Sequence, residues 1–172
     1  MEMNNSEEKN QERLKKLSQI PLFSSFADNR ESLMKLNEIC SLKEFDKDVI
    51  VISEGDTGDD MFIMFDGIVE IRKNTRSGDE YTVVELKAEF NVFFGELAIV
   101  SEGERSATVI TKSKCKFLVI TKKDFEDFCE EHPTIGLHIT REILKTVAER
   151  LRKTNDDMLT IFDALMNEIK NS

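Results

Sequence analysis

FGELAIV at residues 94–100, followed by ERSATV at 104–109, is the stretch on which the reading of this chain turns. Gly95 permits a backbone conformation, or a close approach, that a β-carbon forbids. A short helical turn after it would present backbone N–H groups, which cradle anions. Glu96 is an acceptor-only carboxylate at that turn. Arg105 is a permanent cation whose planar fork suits phosphate, and Ser106 adds a hydroxyl donor. Arg105, Ser106 and backbone N–H groups can together satisfy a phosphate while Glu96 takes a sugar hydroxyl. Glu96 and Arg105 can equally form a surface ion pair, worth ~0–1 kcal/mol. The chemistry of these residues leaves both readings open.

On either side of this stretch the apolar pattern is that of short strands. DVIVIS (48–53), DMFIMF (60–65), IVEIRK (68–73), EYTVVEL (80–86), SATVIT (106–111) and KFLVI (116–120) are rich in β-branched and aromatic residues. The turn signals EGDTGDD, DG and TRSGD separate them. No long helical pattern intervenes, which argues against βαβ units. The expected fold is mainly β with flanking helices: an antiparallel jelly-roll barrel over residues 42–120. FGELAIV breaks the strand rhythm and has room for one short helical turn.

Helical periodicity marks both ends. In residues 1–41, Leu14, Leu17 and Ile20 share a face before the break at Pro21. After Asp28, Leu33, Leu36, Ile39 and Cys40 repeat that spacing. Residues 121–172 form the third zone. Thr121 with Asp124 three positions on predicts a capped helix carrying Phe125 and Phe128 and stopping near Pro133. A long helix is predicted over about 137–170. Along it, Leu144, Leu151, Met158 and Leu165 recur every seven residues, interleaved with Val147, Thr154 and Ile161. That is a coiled-coil seam with Thr154 as its one polar member. It outruns a small barrel, at ~1.5 Å per residue, and predicts a homodimer through the C-terminal helix.

Composition narrows the function classes. Lys and Arg number 24 against 34 Asp and Glu, a net charge of -10. An acidic chain repels phosphate backbones at long range, so nucleic-acid binding is not expected. Cys40, Cys115 and Cys129 show no metal-type spacing, and Cys40 and Cys115 read as small buried hydrophobes. The N-terminus lacks an apolar signal region, and no apolar run reaches the ~18 residues of a membrane span. A soluble, cytoplasmic protein with no membrane association is expected. The two histidines, His132 and His138, lie outside the strands, whereas a metal site on this fold would draw several histidines from them. No metal, cofactor or enzymatic activity is expected.

FGELAIV…ERSATV resembles the phosphate-binding cassette of the cyclic-nucleotide-binding domain family. That family includes the bacterial catabolite activator protein and the regulatory subunits of protein kinase A. IPLFSSF (20–26) and the helix after it resemble the family's leading segment. EGDTGDDMFIMFDGIVEI (54–71) resembles its paired-glycine strands, with Gly55, Gly58 and Gly67 at turns. The likeness covers roughly residues 20–155. It implies a sensor whose ligand is cyclic AMP, with cyclic GMP second. It implies that Glu96 bonds the ribose 2′-hydroxyl and that Arg105 and Ser106 meet the cyclic phosphate. Backbone groups around Gly95, Leu97 and Ala98 complete such a pocket. In the catabolite activator protein a Thr-Ser pair on the long helix meets the adenine. AERLRKTN (148–155) resembles that stretch, with Thr154 matching the threonine and Asn155 replacing the serine.

The resemblance also has departures. KAEFNVFFGE (87–96) lacks the usual Gly-Asp before the cassette and carries Asn91 and Val92 there. Asn tolerates positive φ better than most residues, so the turn is expected to survive. Relatives that activate transcription continue into a helix-turn-helix domain, and none is expected within residues 1–172. The alternative reading is a dimerisation scaffold of the same fold that has lost its nucleotide. Asn91 and Val92 weigh for it; Glu96 and Arg105 weigh against it. The downstream effector is not legible.

Overall fold

Among the described residues, eight strands pair in a nested order that follows from rolling up one long hairpin. β1 (Ser41–Phe45) pairs with β8 (Cys115–Thr121), and β2 (Ile50–Ile52) with β7 (Thr108–Thr111). Likewise β3 (Asp60–Asp66) pairs with β6 (Phe93–Phe94), and β4 (Ile68–Asn74) with β5 (Glu80–Lys87). All pairings are antiparallel. They form two four-stranded sheets, β1-β8-β3-β6 and β2-β7-β4-β5. The arrangement is jelly-roll-like, but the two sheets do not close into the barrel that the sequence pattern predicts. This computed structural model describes the backbone of residues 2–171 and the side chains of 7–170.

The two central strands of the first sheet, β8 and β3, are buried on both faces, which explains their unbroken apolar runs. From β3, Phe62 and Met64 point between the sheets, joined by Phe117, Val119 and Cys115 of β8. Phe62 stacks on Phe94 at 5.2 Å, and Phe117 meets both rings edge-on. The opposite face presents Met61, Ile63, Leu118 and Ile120 to a layer of helices. Burying a side chain of this size contributes ~1.5–3 kcal/mol, so these alternating faces carry much of the fold.

The helical layer is drawn from both ends of the chain. α1 (Glu2–Gln19) supplies Leu14 and Leu17, and a 3-10 turn over Pro21–Phe26 supplies Leu22, Phe23 and Phe26. α2 (Arg30–Glu38) is capped by the Asn29 side chain, which accepts from the Ser32 amide. α3 (Lys122–Glu131) starts at the expected cap: the Thr121 hydroxyl accepts from the Asp124 amide at 3.1 Å and donates to its carboxylate. α4 (Pro133–Asn171) adds Ile139 and Ile143. Residues from all three sequence zones therefore share one apolar cluster.

Two strands and one helix start differ from the sequence reading. SLKEF has no apolar alternation, because four of its five residues are exposed, so β1 escaped notice as an edge strand. β6 is only two residues long. α4 begins at Pro133, several residues before the predicted start. Proline suits the first helical position, where no N–H is needed, and here it opens the helix rather than marking a gap. Cys40 and Cys115 are buried as expected, and burial pushes the Cys40 thiol up to about 12. Among the described residues no helix is long and apolar enough to cross a membrane.

Candidate functional site

The site begins with a turn. After β5, a 3-10 turn over Ala88–Phe90 ends at Asn91 in the left-handed region (φ 53°, ψ 46°), so the turn survives the departure noted above. β6 then pairs with β3 through Phe94 opposite Phe62. Buried Phe94 and Ile99 anchor the two ends of the segment between them. Gly95 follows at φ 76°, a region closed to most side chains, and opens a 3-10 turn over Glu96–Ile99. The Ala98 amide donates to the Gly95 carbonyl at 3.1 Å. The earlier N–H groups of so short a turn have no carbonyl of their own turn to bond.

Arg105 lies across this turn. Its Nη1 donates to the Asp60 carbonyl at 2.8 Å. A β-carbon on Gly95 would stand 2.9 Å from that same Nη1. One on Gly58 would come within 2.6 Å of both Nε and Nη2. Two glycines thus clear the space the guanidinium fills. The sequence reading placed Gly58 at a turn; what its missing side chain provides is room for Arg105. The Arg105 backbone is fixed too: its amide donates to Asp56 and its carbonyl accepts from Gly55. Burial pulls the guanidinium down from its ordinary value, opposed by the Asp60 and Asp59 carboxylates. It stays charged at any ordinary pH.

Glu96 is only 2% exposed. A carboxylate so buried requires a partner, and Arg150 of α4 supplies one by donating from Nη1. Arg150 was missed because 54 residues separate it from Glu96. The available signal was its place one helical turn before Thr154 in a stretch already singled out.

The structure brings Gly95, Glu96 and Arg105 to one place, with Ala98 half-buried on the same turn. Leu97 and Ser106 are exposed at its rim. Thr154 and Asn155 are exposed on α4, and the Thr154 hydroxyl donates to the Arg150 carbonyl at 2.9 Å. The hydrogen bond from α4 to the cassette thus comes from Arg150, while Thr154 bonds within its own helix. A half-buried cation, a buried carboxylate and a glycine-opened turn can together receive a ligand bearing both an anion and a hydroxyl.

Comparison with known proteins agrees with this geometry. The family model described as "Cyclic nucleotide-binding domain" matches residues 42–132, which is 91 of the 172 residues. The cAMP-dependent protein kinase regulatory subunit of Mycosarcoma maydis is 33% identical over 93 residues, covering 54% of this chain and 17% of its own length. The CRP-like cAMP-activated global transcriptional regulator of Mycobacterium tuberculosis is 25% identical over 115 residues, 67% of this chain and 49% of its own. The chain therefore spans half or less of each of these relatives. Among solved structures, the N-terminal domain of a transcriptional regulator from Streptomyces coelicolor A3(2) superimposes with a TM-score of 0.69 at 26% identity. That match covers 83% of this chain and 94% of the other. By its cassette, its nested strands and its family match, the chain belongs to the cyclic nucleotide-binding domain family.

Proposed function

We propose that this chain is a regulatory module that binds cyclic AMP and signals through α4, without catalysing a reaction itself. The observation that carries this reading is Arg105, held between Gly58 and Gly95 beside the turn that bears Glu96. In this reading Arg105, Ser106 and the backbone around Gly95, Leu97 and Ala98 receive the cyclic phosphate. Glu96 receives the ribose 2′-hydroxyl. Thr154 and Asn155 offer donors and acceptors to the adenine, favouring cyclic AMP over cyclic GMP. The ligand is named from the relatives' own descriptions, both of which specify cAMP.

Arg150 supplies the link to α4. It holds the Glu96 carboxylate, the acceptor assigned to the ribose. A ribose arriving there shares or displaces Arg150, so occupancy biases the position of the helix. A ligand shifts an equilibrium only by its differential affinity for two states, and this contact provides a difference. The output surface is the exposed apolar face of α4. Leu144, Leu151, Met158 and Leu165 are between 52% and 66% exposed. Their heptad spacing fits a second copy of the same helix, and we assign the homodimer to this seam. The acidic surface argues that nucleic acid is not the partner.

The alternative of a scaffold without ligand drew on Asn91 and Val92. Asn91 keeps the left-handed turn, so that argument loses weight. Titration calorimetry with cyclic AMP tests the proposal, with Arg105→Ala as the control. Loss of a charged hydrogen bond costs ~1.5–3 kcal/mol, which is roughly tenfold to over a hundredfold in Kd. No heat with wild type, or equal affinity for both proteins, would sink it.

A further inference from the structure

Lys16 hydrogen-bonds from α1 to the turn that leads into the cassette, and nothing in the proposed mechanism uses it. It stands in the last turn of α1. Its ammonium donates to the Ala88 carbonyl and to Asn91 Oδ1, the latter at 2.9 Å. Ala88 opens the 3-10 turn before β6, and Asn91 closes it.

Several facts separate this contact from an incidental surface bond. Asn91 holds a left-handed backbone that only glycine adopts freely. It does so where the family usually places Gly-Asp, and its side chain is fixed from outside by Lys16 rather than left to solvent. The next residue, Val92, accepts from the Met64 amide at 3.0 Å, and from there two residues of β6 reach Gly95. α1 is itself held firmly: Leu14 and Leu17 are buried, and Arg13 donates to the Asn37 and Cys40 carbonyls. Withdrawal from water lowers the Lys16 pKa, with the Asp66 carboxylate opposing the shift. An ammonium partly removed from water costs free energy unless its bonds return it.

Resting on the nucleotide-binding reading above, we propose that Lys16 is a positioning residue for the nucleotide pocket. It holds Asn91 in the left-handed turn, sets the approach of β6 to Gly95, and thereby couples docking of α1 to occupancy of the pocket. By linkage, whatever factor α1 docking contributes to nucleotide affinity, the nucleotide returns to α1 docking.

The test uses the full chain as wild type, Lys16→Met, and Lys16→Met combined with Asn91→Gly. Methionine keeps most of the aliphatic stem and removes the donor; glycine adopts the left-handed turn without help. Two quantities are read: Kd for cyclic AMP by calorimetry, and amide exchange of Asn91 and Met64 without ligand. In Lys16→Met both amides should exchange faster, and affinity should fall roughly fivefold to twentyfold. The double variant should recover most of that affinity. Unchanged exchange and affinity within twofold in Lys16→Met would overturn the proposal. So would a loss that Asn91→Gly does not restore, since that marks general damage to α1 packing. If wild type binds no cyclic nucleotide, the functional reading fails, and the exchange rates alone decide whether Lys16 holds the turn: unchanged rates overturn the proposal.

Discussion

The two ends of α4 carry similar apolar periodicity and meet opposite fates. In the first, Ile139 and Ile143 are almost fully buried, and Val147 packs on the same cluster. In the second, Leu151, Met158, Ile161, Phe162 and Leu165 are all exposed. Arg150 sits where the first regime gives way to the second, with its guanidinium on Glu96. An amphipathic helix buries its apolar face against whatever is available. The near end is satisfied by α3, the Pro21–Phe26 turn and the apolar cluster they share, whereas among the described residues the large apolar side chains of the far end stay exposed. That contrast teaches where regulation can act. In the proposed mechanism, a helix packed at one end and exposed at the other is repositioned at the junction without unfolding the core.

The contrast can be broken most severely at its buried end. Ile143→Ala removes side-chain volume from the shared cluster and should cost ~2–5 kcal/mol, read as a lower denaturant midpoint. The same truncation at Met158 should leave the unfolding of a monomer within ~0.5 kcal/mol of wild type. If the two variants unfold alike in dilute solution, the division of α4 is wrong.

Next in size is the seam itself. Leu151→Asp places charge where the second copy is proposed to pack, and should convert a dimer to a monomer in sedimentation velocity. A wild type that sediments as a monomer removes the dimer. A smaller effect is expected at the junction. Arg150→Ala leaves the buried Glu96 carboxylate without its partner. The ligand-free protein should lose about 1–3 kcal/mol, measured by thermal melting. Cyclic AMP, by offering Glu96 a hydroxyl, should narrow the gap between variant and wild type; an equal gap with and without ligand would show that Glu96 does not meet the nucleotide.

What the sequence could reveal follows the same division. The central strands β3 and β8 were legible because both of their faces are buried, giving runs such as DMFIMF and KFLVI. Gly95, Glu96 and Arg105 were singled out by residue type and spacing, but their chemistry alone left a surface ion pair equally open, and the ligand roles given to them came from the family resemblance. β1 was not, since an edge strand exposed along most of its length leaves no apolar period. Arg150 and Lys16 were not, because contacts across 54 and 75 residues leave no mark on local pattern. The role of Gly58 was equally hidden: a glycine chosen for a neighbour's bulk looks like any turn glycine until Arg105 is seen against it.

The nested strand pairing also orders the assembly of the molecule in time. β4 and β5 meet across a short hairpin, where Asn74 pairs with Glu80 only six positions on. β1 and β8 meet only by closing a loop of 70 residues, from Phe45 to Cys115. With closure entropy growing as the logarithm of loop length, the outer pair costs about 2 kcal/mol more to close than the inner one. Strand β1 returns little of that, being mostly exposed. Zipping should therefore run outward from the β4–β5 hairpin, through β3 with β6 and β2 with β7, and end at β1 with β8. Gly95 follows β6, while Asp60 begins β3 and Arg105 lies just before β7, so the cassette comes together in the middle of this sequence. On the proposed reading, a nucleotide supplied during refolding would find the cassette formed before the outer strands have met, and α1, whose Lys16 clasps the finished turn, would arrive as the last fastening.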